Sequence, residues 1–460
     1  MTRAAVVLAA GQGTRFRSDL AKVLHPIAGW SMVRWVLQAL RPLELDRVVV
    51  VVGHQHEQVT AAAQAVPDLH VVTVHQAEQR GTGHAVRVAF DAGALDGVDQ
   101  VLVVPGDAPL IGGAPLAEMF AAQPGHAVAM MAAIMDDPTG YGRIIRDPTS
   151  GEVVAVIEER DATPEQRRIN EVNTSMYVFD AGLLAKELTR LGTDNDQGEE
   201  YLTDVVELLA DAGVIPVRAP QRSVGGVNDR EQLARAAAEL RAAMLSTLMR
   251  DGVTVVDPSA TYIDASCVVE PDAVLLPGTY LEGSTSVASG AVIGPNTRLI
   301  DTTVGSGAQV TFSVAVSATI GPGAQVGPFS YLRPQAQLDE RSKAGAFVEV
   351  KQSVIGEGSK VPHLSYIGNT TIGKNSNIGA ATVTVNYDGR RKHQTTIGDR
   401  VRIGSDTMLI APVKVGDDAY TGAGSVITRD VPAGALAIER SEQRIIEGYA
   451  ARRTARDDAS

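Results

Sequence analysis

Thr396-Ile397-Gly398-Asp399-Arg400-Val401-Arg402-Ile403-Gly404-Ser405-Asp406-Thr407-Met408-Leu409 places an aliphatic residue at every sixth position, and the beat continues through Val415, Thr421 and Ile427. Upstream, Ile320, Val326, Leu332 and Leu338 keep the same period. Glycine repeatedly follows the aliphatic residue, as in Ile320-Gly321, Val326-Gly327 and Val415-Gly416. This is the hexapeptide signature of a parallel β-helix. If three hexads close one triangular coil, residues 18 apart stack roughly 4.8 Å above one another. Arg333 then stacks on Lys351, and Tyr387, Ser405 and Ala423 form a column. Two stacked cations repel unless an anion sits on them, and a phosphate would serve. Register is lost around residues 339–346 and again across 385–396, and such breaks predict protruding loops on a binding face.

The texture before this region is different. Residues 229–250 read as one helix, with Asp229 as N-cap and Gly252 beyond its end. Earlier still, continuous apolar runs at 4–10, 48–52, 71–74, 101–104 and 128–133 alternate with helical stretches such as 31–40 and 83–90. Continuous runs of that length predict strands buried on both faces, hence an α/β domain with a largely parallel sheet. The division expected is an α/β domain over 1–230, a linker helix over 231–251, and a β-helix with a polar, mobile C-terminal tail over 252–460.

Composition narrows the function. The 460 residues carry 54 acidic against 41 basic side chains, a net charge of −13, which argues against a nucleic-acid or anionic-membrane surface. A single cysteine, Cys267, excludes a disulfide framework and a Cys/His zinc cluster. No run reaches the roughly 20 apolar residues of a membrane helix. The apolar stretch after Arg3 stops at Gly11 without a cleavage-like site, so it reads as a buried strand of a cytoplasmic protein.

Gly11-Gln12-Gly13-Thr14-Arg15 follows that first strand. Its glycines allow close backbone approach to a ligand, and the helix expected next can aim its N–H groups at phosphate. A dinucleotide fingerprint fails at Phe16, and no Walker Gly-Lys-Ser/Thr is present. The larger string resembles the sugar-nucleotide pyrophosphorylases: Leu8-Ala9-Ala10-Gly11-Gln12-Gly13-Thr14-Arg15, Lys22-Val23-Leu24-His25-Pro26, Gln76 to Ala85, Gly106-Asp107-Ala108-Pro109-Leu110 and Gly140-Tyr141-Gly142-Arg143. With the hexapeptide half attached, the chain to about residue 448 resembles the bacterial bifunctional N-acetylglucosamine-1-phosphate uridylyltransferase/glucosamine-1-phosphate acetyltransferases.

The resemblance implies a Rossmann-like, mostly parallel nucleotidyltransferase domain, a linker helix and a left-handed parallel β-helix, assembled as a homotrimer. It implies acetylation of glucosamine 1-phosphate by acetyl-CoA, then transfer of UMP from UTP with release of pyrophosphate. The product would feed peptidoglycan and other cell-envelope polysaccharides. Its partners would be small molecules, with no nucleic acid and no membrane insertion.

Carried over by position, Arg15 and Lys22 would act on the phosphates, and Asp107 with Asn228 would hold Mg²⁺. Leu8, Ala9, Ala10, Gly11 and Gly106 would border the nucleotide. Gln76, Gly81 and Thr82 would read uracil and ribose, while Gly142, Glu158 and Asn173 would hold the sugar. In the β-helix His363 would be the catalytic base, and Arg333, Lys351, Tyr366 and Asn377 would bind glucosamine 1-phosphate. Ala380, Asn386, Tyr387, Ser405, Ala423 and Arg440 would contact acetyl-CoA.

Three positions depart from the family pattern. Pro105 removes a backbone donor, Ser175 replaces a common glycine and crowds the sugar, and Asp229 adds a negative charge near the metal. Two other readings stand beside this one: a single-function nucleotidyltransferase with a structural or regulatory β-helix, and a non-catalytic sugar-nucleotide sensor. Release of pyrophosphate or of free CoA discriminates among the three.

Overall fold

The computed structural model describes residues 1–458. The chain forms two compact units, Met1–Ala243 and Met244 onward.

The first unit is built on β1 (Arg3–Ala9), a small hairpin of β2 (Pro26–Ile27) and β3 (Trp30–Ser31), then α1 (Met32–Leu40), β4 (Arg47–Val52), α2 (His56–Gln64) and β5 (Val71–His75). There follow α3 (Thr82–Asp91), β6 (Gln100–Pro105), α4 (Gly113–Ala122), β7 (Val128–Ile134), β8 (Gly142–Arg146) and β9 (Val153–Ile157). The unit is completed by β10 (Glu171–Asp180), α5 (Ala181–Leu188), α6 (Asp204–Leu208) and β11 (Val214–Arg218). The main sheet runs β11-β7-β10-β6-β1-β4-β5. Along β1, Ala5, Val7 and Ala9 enter the core on one face, while Ala4 and Val6 enter the core on the other. Burial on both sides is why these strands lack polar alternation.

The sheet is mixed. β1, β4, β5 and β6 pair in parallel, as does β11 with β7, but β10 is antiparallel to both β6 and β7. β8 and β9 form a hairpin off β10.

Helix α7 (Arg230–Arg250) is capped by Asp229, whose carboxylate accepts from Gln232 N at 2.8 Å. Ala236, Leu233 and Leu240 belong to a core with Phe16, Ile27 and Met32. Further along, Leu245 is fully buried in the β-helix core, with Met244 and Leu248 packed against it.

The second unit is three stacked parallel sheets of short strands, the faces of a triangular coil. Val274 pairs with Val292, 18 residues on, but Arg298 pairs with Val314, 16 on, and Glu349 with Tyr366, 17 on. The expected break at 339–346 is not there. Ala344 and Val350 continue the beat fully buried, and Lys343–Ala346 is a strand. A small inward alanine hides the repeat from a search for large aliphatics. The second departure is a true insertion: Val383 pairs with Met408, 25 residues on. The tail after Gly448 forms helix α8 (Tyr449–Asp457), exposed along its length.

Candidate functional sites

At the carboxyl ends of β1, β5 and β6 the first unit opens a cavity of about 570 Å³. Leu8, Ala10, Gly11, Arg15, Lys22 and Asp107 line one part of it, with Asn228. Gln76, Gly81, Thr82, Gly142, Glu158 and Asn173 line the rest. Ala9 instead packs in the core, and Gly106 lies beneath the floor, its N–H donating to Leu8 O at 2.9 Å. Gly13 rather than Gly11 is the glycine that space demands. Gly13 has φ +68°, and a Cβ there would stand 2.5 Å from Lys22 Cβ.

Four groups converge on one point. Lys22 Nζ donates to the Asp107 carboxylate and, at 3.2 Å, to Asn228 Oδ1. Arg15 donates to the same Asn228 oxygen at 2.9 Å. The Lys22 and Asp107 side chains are only 15% and 13% exposed, so their charges are poorly hydrated and act strongly on anything entering. Two oxygens, one anionic, already gathered on a cation are the donor chemistry that Mg²⁺ takes, with substrate phosphates completing its shell. Asn228 and Asp107 thus fit the ion. No group of three His, Cys, Asp or Glu is placed to hold a metal among the described residues. The extra carboxylate of Asp229, expected to weigh on the metal, is engaged as the α7 cap.

Hydrogen bonds fix what the other side chains can offer. Gln76 is 4% exposed, and its amide nitrogen contacts Gly81 O at 3.2 Å and His84 Nδ1 at 3.0 Å. Burial first, then the charge of Arg80, lowers the His84 pKa and disfavours its charged ring, while the Gly81 carbonyl fixes which end of the Gln76 amide is the nitrogen. Gln76 therefore presents its oxygen, an acceptor, to a ligand. Thr82 Oγ1 accepts from Leu202 N at 3.1 Å and anchors the start of α3.

Toward the other end of the cavity Asn173 Oδ1 accepts from Ser175 N at 3.1 Å, leaving its N–H₂ to donate. Glu158 accepts from Thr203 Oγ1 at 3.2 Å, and burial raises its pKa. Pro105 closes β6 opposite Leu8. Sequence reasoning missed Gln79, whose Nε2 donates to Ala10 O at 2.6 Å, and Tyr141, which also lines the cavity.

In the second unit His363 ends the strand Lys360–His363 and is exposed. It stacks on Ala346, and Ala381 N donates to His363 O, which sets Ala380 one coil above it. Asp406 N donates to Ala380 O and Gly424 N to Ser405 O, so Ser405 and Ala423 continue the column. Arg440 donates to Ala423 O at 3.1 Å at its top. Tyr387 is not in this column, contrary to the 18-residue count. The insertion carries it into the loop, where its hydroxyl donates to Gly389 O at 2.7 Å. What remains is a corner of small residues rising from His363 to Arg440.

The adjoining face carries Tyr366 at its near end and Arg333 and Lys351 at its far end. Asn377 stacks on Lys360, on the face that carries His363. Arg333 does not lack a partner: it donates to Glu349 Oε1 at 2.9 Å. Lys351 is the crowded cation. Contact with Lys392, then lost hydration and the charge of Arg333, lowers its pKa. Lys392, from the inserted loop, was not singled out by spacing. The only sign of it in the sequence is the run Arg390-Arg391-Lys392 within the broken register.

Residues 5–173 match the MobA-like NTP transferase domain family, and residues 394–429 match the bacterial transferase hexapeptide family (six repeats). The three stacked sheets accord with a left-handed parallel β-helix. The chain is 52% identical over 457 residues to the bifunctional protein GlmU of Streptomyces avermitilis, covering 98% of this chain and 94% of that protein. It is 53% identical over 458 residues to the bifunctional protein GlmU of Thermobifida fusca, with the same coverage. For that of Mycolicibacterium vanbaalenii the figures are 48% over 458 residues, covering 98% and 93%.

Proposed function

The chain belongs to the family of bifunctional GlmU proteins, and we propose from this how its two sites divide the chemistry. It is a two-activity transferase. The second unit acetylates glucosamine 1-phosphate with acetyl-CoA, and the first couples N-acetylglucosamine 1-phosphate to UTP, giving UDP-N-acetylglucosamine and pyrophosphate.

In the first site the sugar phosphate oxygen attacks the α-phosphorus of UTP as the bond to pyrophosphate breaks. Lys22 and Arg15 neutralise the crowded phosphates and hold them in line, the main tasks in such a transfer. Mg²⁺, held by Asp107 and Asn228, would supply further charge neutralisation on those phosphates. Gln76 accepts from the imide N–H of uracil. Asn173 donates to the sugar and Glu158 accepts from its hydroxyls. The convergence of Lys22, Arg15, Asp107 and Asn228 is the observation that carries this reading.

In the second site the phosphate of glucosamine 1-phosphate lies against Arg333, Lys351 and Lys392, with its sugar along Tyr366 and Asn377. The amine nitrogen attacks the acetyl carbonyl, the CoA thiolate leaves, and His363 takes the amine proton. The small-residue corner through Ala380, Ser405 and Ala423 leaves room for an extended pantetheine arm, and Arg440 faces the CoA phosphates. Asn386 and Tyr387 contact the same arm.

The protein works as a homotrimer in the cytoplasm, where UTP and acetyl-CoA are made. One feature favours assembly. Phe312, Phe329 and Phe347 stack up one corner, 38%, 56% and 57% exposed, with ring centroids 5.7 and 5.2 Å apart. All three have positive φ, a conformation costly for bulky residues, and exposed aromatics offer a lone chain nothing in return.

Two assays test the reading: free thiol from acetyl-CoA and glucosamine 1-phosphate, and pyrophosphate from UTP and N-acetylglucosamine 1-phosphate with Mg²⁺. Both signals are expected. Pyrophosphate without thiol would reduce the β-helix to a structural prism.

A further inference from the structure

Four side-chain amides climb one corner of the β-helix. Asn386 Nδ2 donates to Asn369 Oδ1 at 2.6 Å, Asn369 Nδ2 to Gln352 Oε1 at 3.4 Å, and Gln352 Nε2 to Gln335 Oε1 at 3.1 Å. Every bond points the same way, and bonds in such a chain polarise and strengthen one another. Three of the four amide oxygens are taken by the rung above. At the top, Asn386 Oδ1 accepts from no other member of the ladder.

The ladder ends where the coil opens. Tyr366 pairs with Val383 and Thr370 with Thr395, so Asn386 is the last residue in register before the inserted loop. His393 N donates to Asn386 O at 2.8 Å and closes the neck of that loop. Asn386 is only 7% exposed, so its side chain is not free to rotate into solvent. The ladder also borders a cavity of about 410 Å³, whose other wall includes Lys392 and Gln394 from the loop.

We propose that Asn369 is a positioning residue for acetyl transfer. By accepting from Asn386 Nδ2, it turns Asn386 Oδ1 outward as a hydrogen-bond acceptor for an amide N–H of the pantetheine arm. A flipped Asn386 would meet that N–H with its own donors and lose the bond. The ladder direction thus selects which ligand group Asn386 recognises, and it roots the loop that carries Tyr387 and Lys392. The proposal rests on Asn386 being an acetyl-CoA contact.

The backbone guides the choice of variants. Asn369 has φ +48°, which Asn, Asp and Gly tolerate and other side chains resist. Asn369→Gly removes the acceptor without strain, while Asn369→Asp keeps it and gives up only the long bond to Gln352. Steady-state acetyl transfer by the full chain is measured as thiol release, with uridylyl transfer as the internal reference.

The expected result is a KM for acetyl-CoA raised about tenfold in Asn369→Gly, the worth of about one hydrogen bond. In Asn369→Asp it stays within about twofold of the parent, and uridylyl transfer is unchanged in both. A merely structural role would affect both variants or neither. Equal KM in Asn369→Gly and the parent, or equal impairment in Asn369→Gly and Asn369→Asp, overturns the proposal. If Asn369→Gly does not fold, Asn369→Asp is read alone, and an acetyl-CoA KM raised about tenfold there overturns the proposal. Asn386→Ala separates the two layers. An unchanged acetyl-CoA KM there overturns the contact itself, whereas a raised KM beside an unaffected Asn369→Gly overturns only the ladder's part.

Discussion

Ser175 N donates to Asn173 Oδ1 across 3.1 Å, and Ser175 takes φ +60° to do so. That bond sits in a β-bulge between Asn173 and Tyr177, where β10 slips against β7. A left-handed conformation costs a residue with a Cβ about 1–2 kcal/mol, and glycine avoids that cost. Ser175→Gly should therefore stabilise the first unit by about 1 kcal/mol. The gain would be read as a higher denaturation midpoint for loss of uridylyl transfer. Ser175→Ala, which keeps the Cβ, should give none.

The two sites should fail independently. Asp107→Ala removes the anionic oxygen gathered on Lys22 and should lower uridylyl transfer at least about 100-fold, with acetyl transfer intact. His363→Ala should do the reverse, lowering acetyl transfer about 10²–10⁴-fold, as expected for loss of a general base. Paired thiol and pyrophosphate assays on each variant check this. Loss of both activities in either variant would contradict the separation.

Burial raises the pKa of Glu158 above its ordinary value of 4.5. The native state therefore holds this proton more tightly than the unfolded chain does. Its contribution is fully present below pH 4.5 and is lost as pH rises through the raised native pKa. Glu158→Gln should thus be more stable than the parent at neutral pH, with the gap closing as the solution is acidified. Denaturation midpoints across pH give the comparison. The same variant should bind sugar phosphate more weakly.

Phe329 stands mid-ladder at φ +61°, a conformation aspartate accepts more readily than phenylalanine. Phe329→Asp should leave the coil folded while placing a charge in the aromatic stripe. Sedimentation should show dissociation of the proposed trimer. An unchanged mass would move the interface to another face.

Much of this architecture was legible in the sequence because burial on both faces leaves an uninterrupted apolar run, as in β1 and β4. The β8–β9–β10 meander was not, since β8 and β10 mix polar and apolar residues and the chain reverses direction at each turn. Ala344 disguised a regular rung as a break. Tyr387 was misplaced because counting by 18 fails once the chain inserts extra residues before it returns to the coil. In the first unit most of the motif residues line one cavity, yet what each can offer depends on bonds that no motif records. The Gly81 carbonyl that leaves Gln76 an acceptor is one case, and the Ser175 N–H that leaves Asn173 a donor is another.

Helix α7 bears on how this protein can be divided. Leu233, Ala236 and Leu240 complete a core with Phe16 and Met32, whereas Leu245 is sealed among β-helix aliphatics. A nucleotidyltransferase ended at residue 230 would leave Phe16 and Met32 uncovered, and an acetyltransferase begun at 252 would lose its first plug. Each enzyme is portable only when it keeps its own share of the helix. A cut between Ala243 and Met244, although it severs a continuous helix, falls after Leu240 and before Leu245 and so leaves both hydrophobic cores whole.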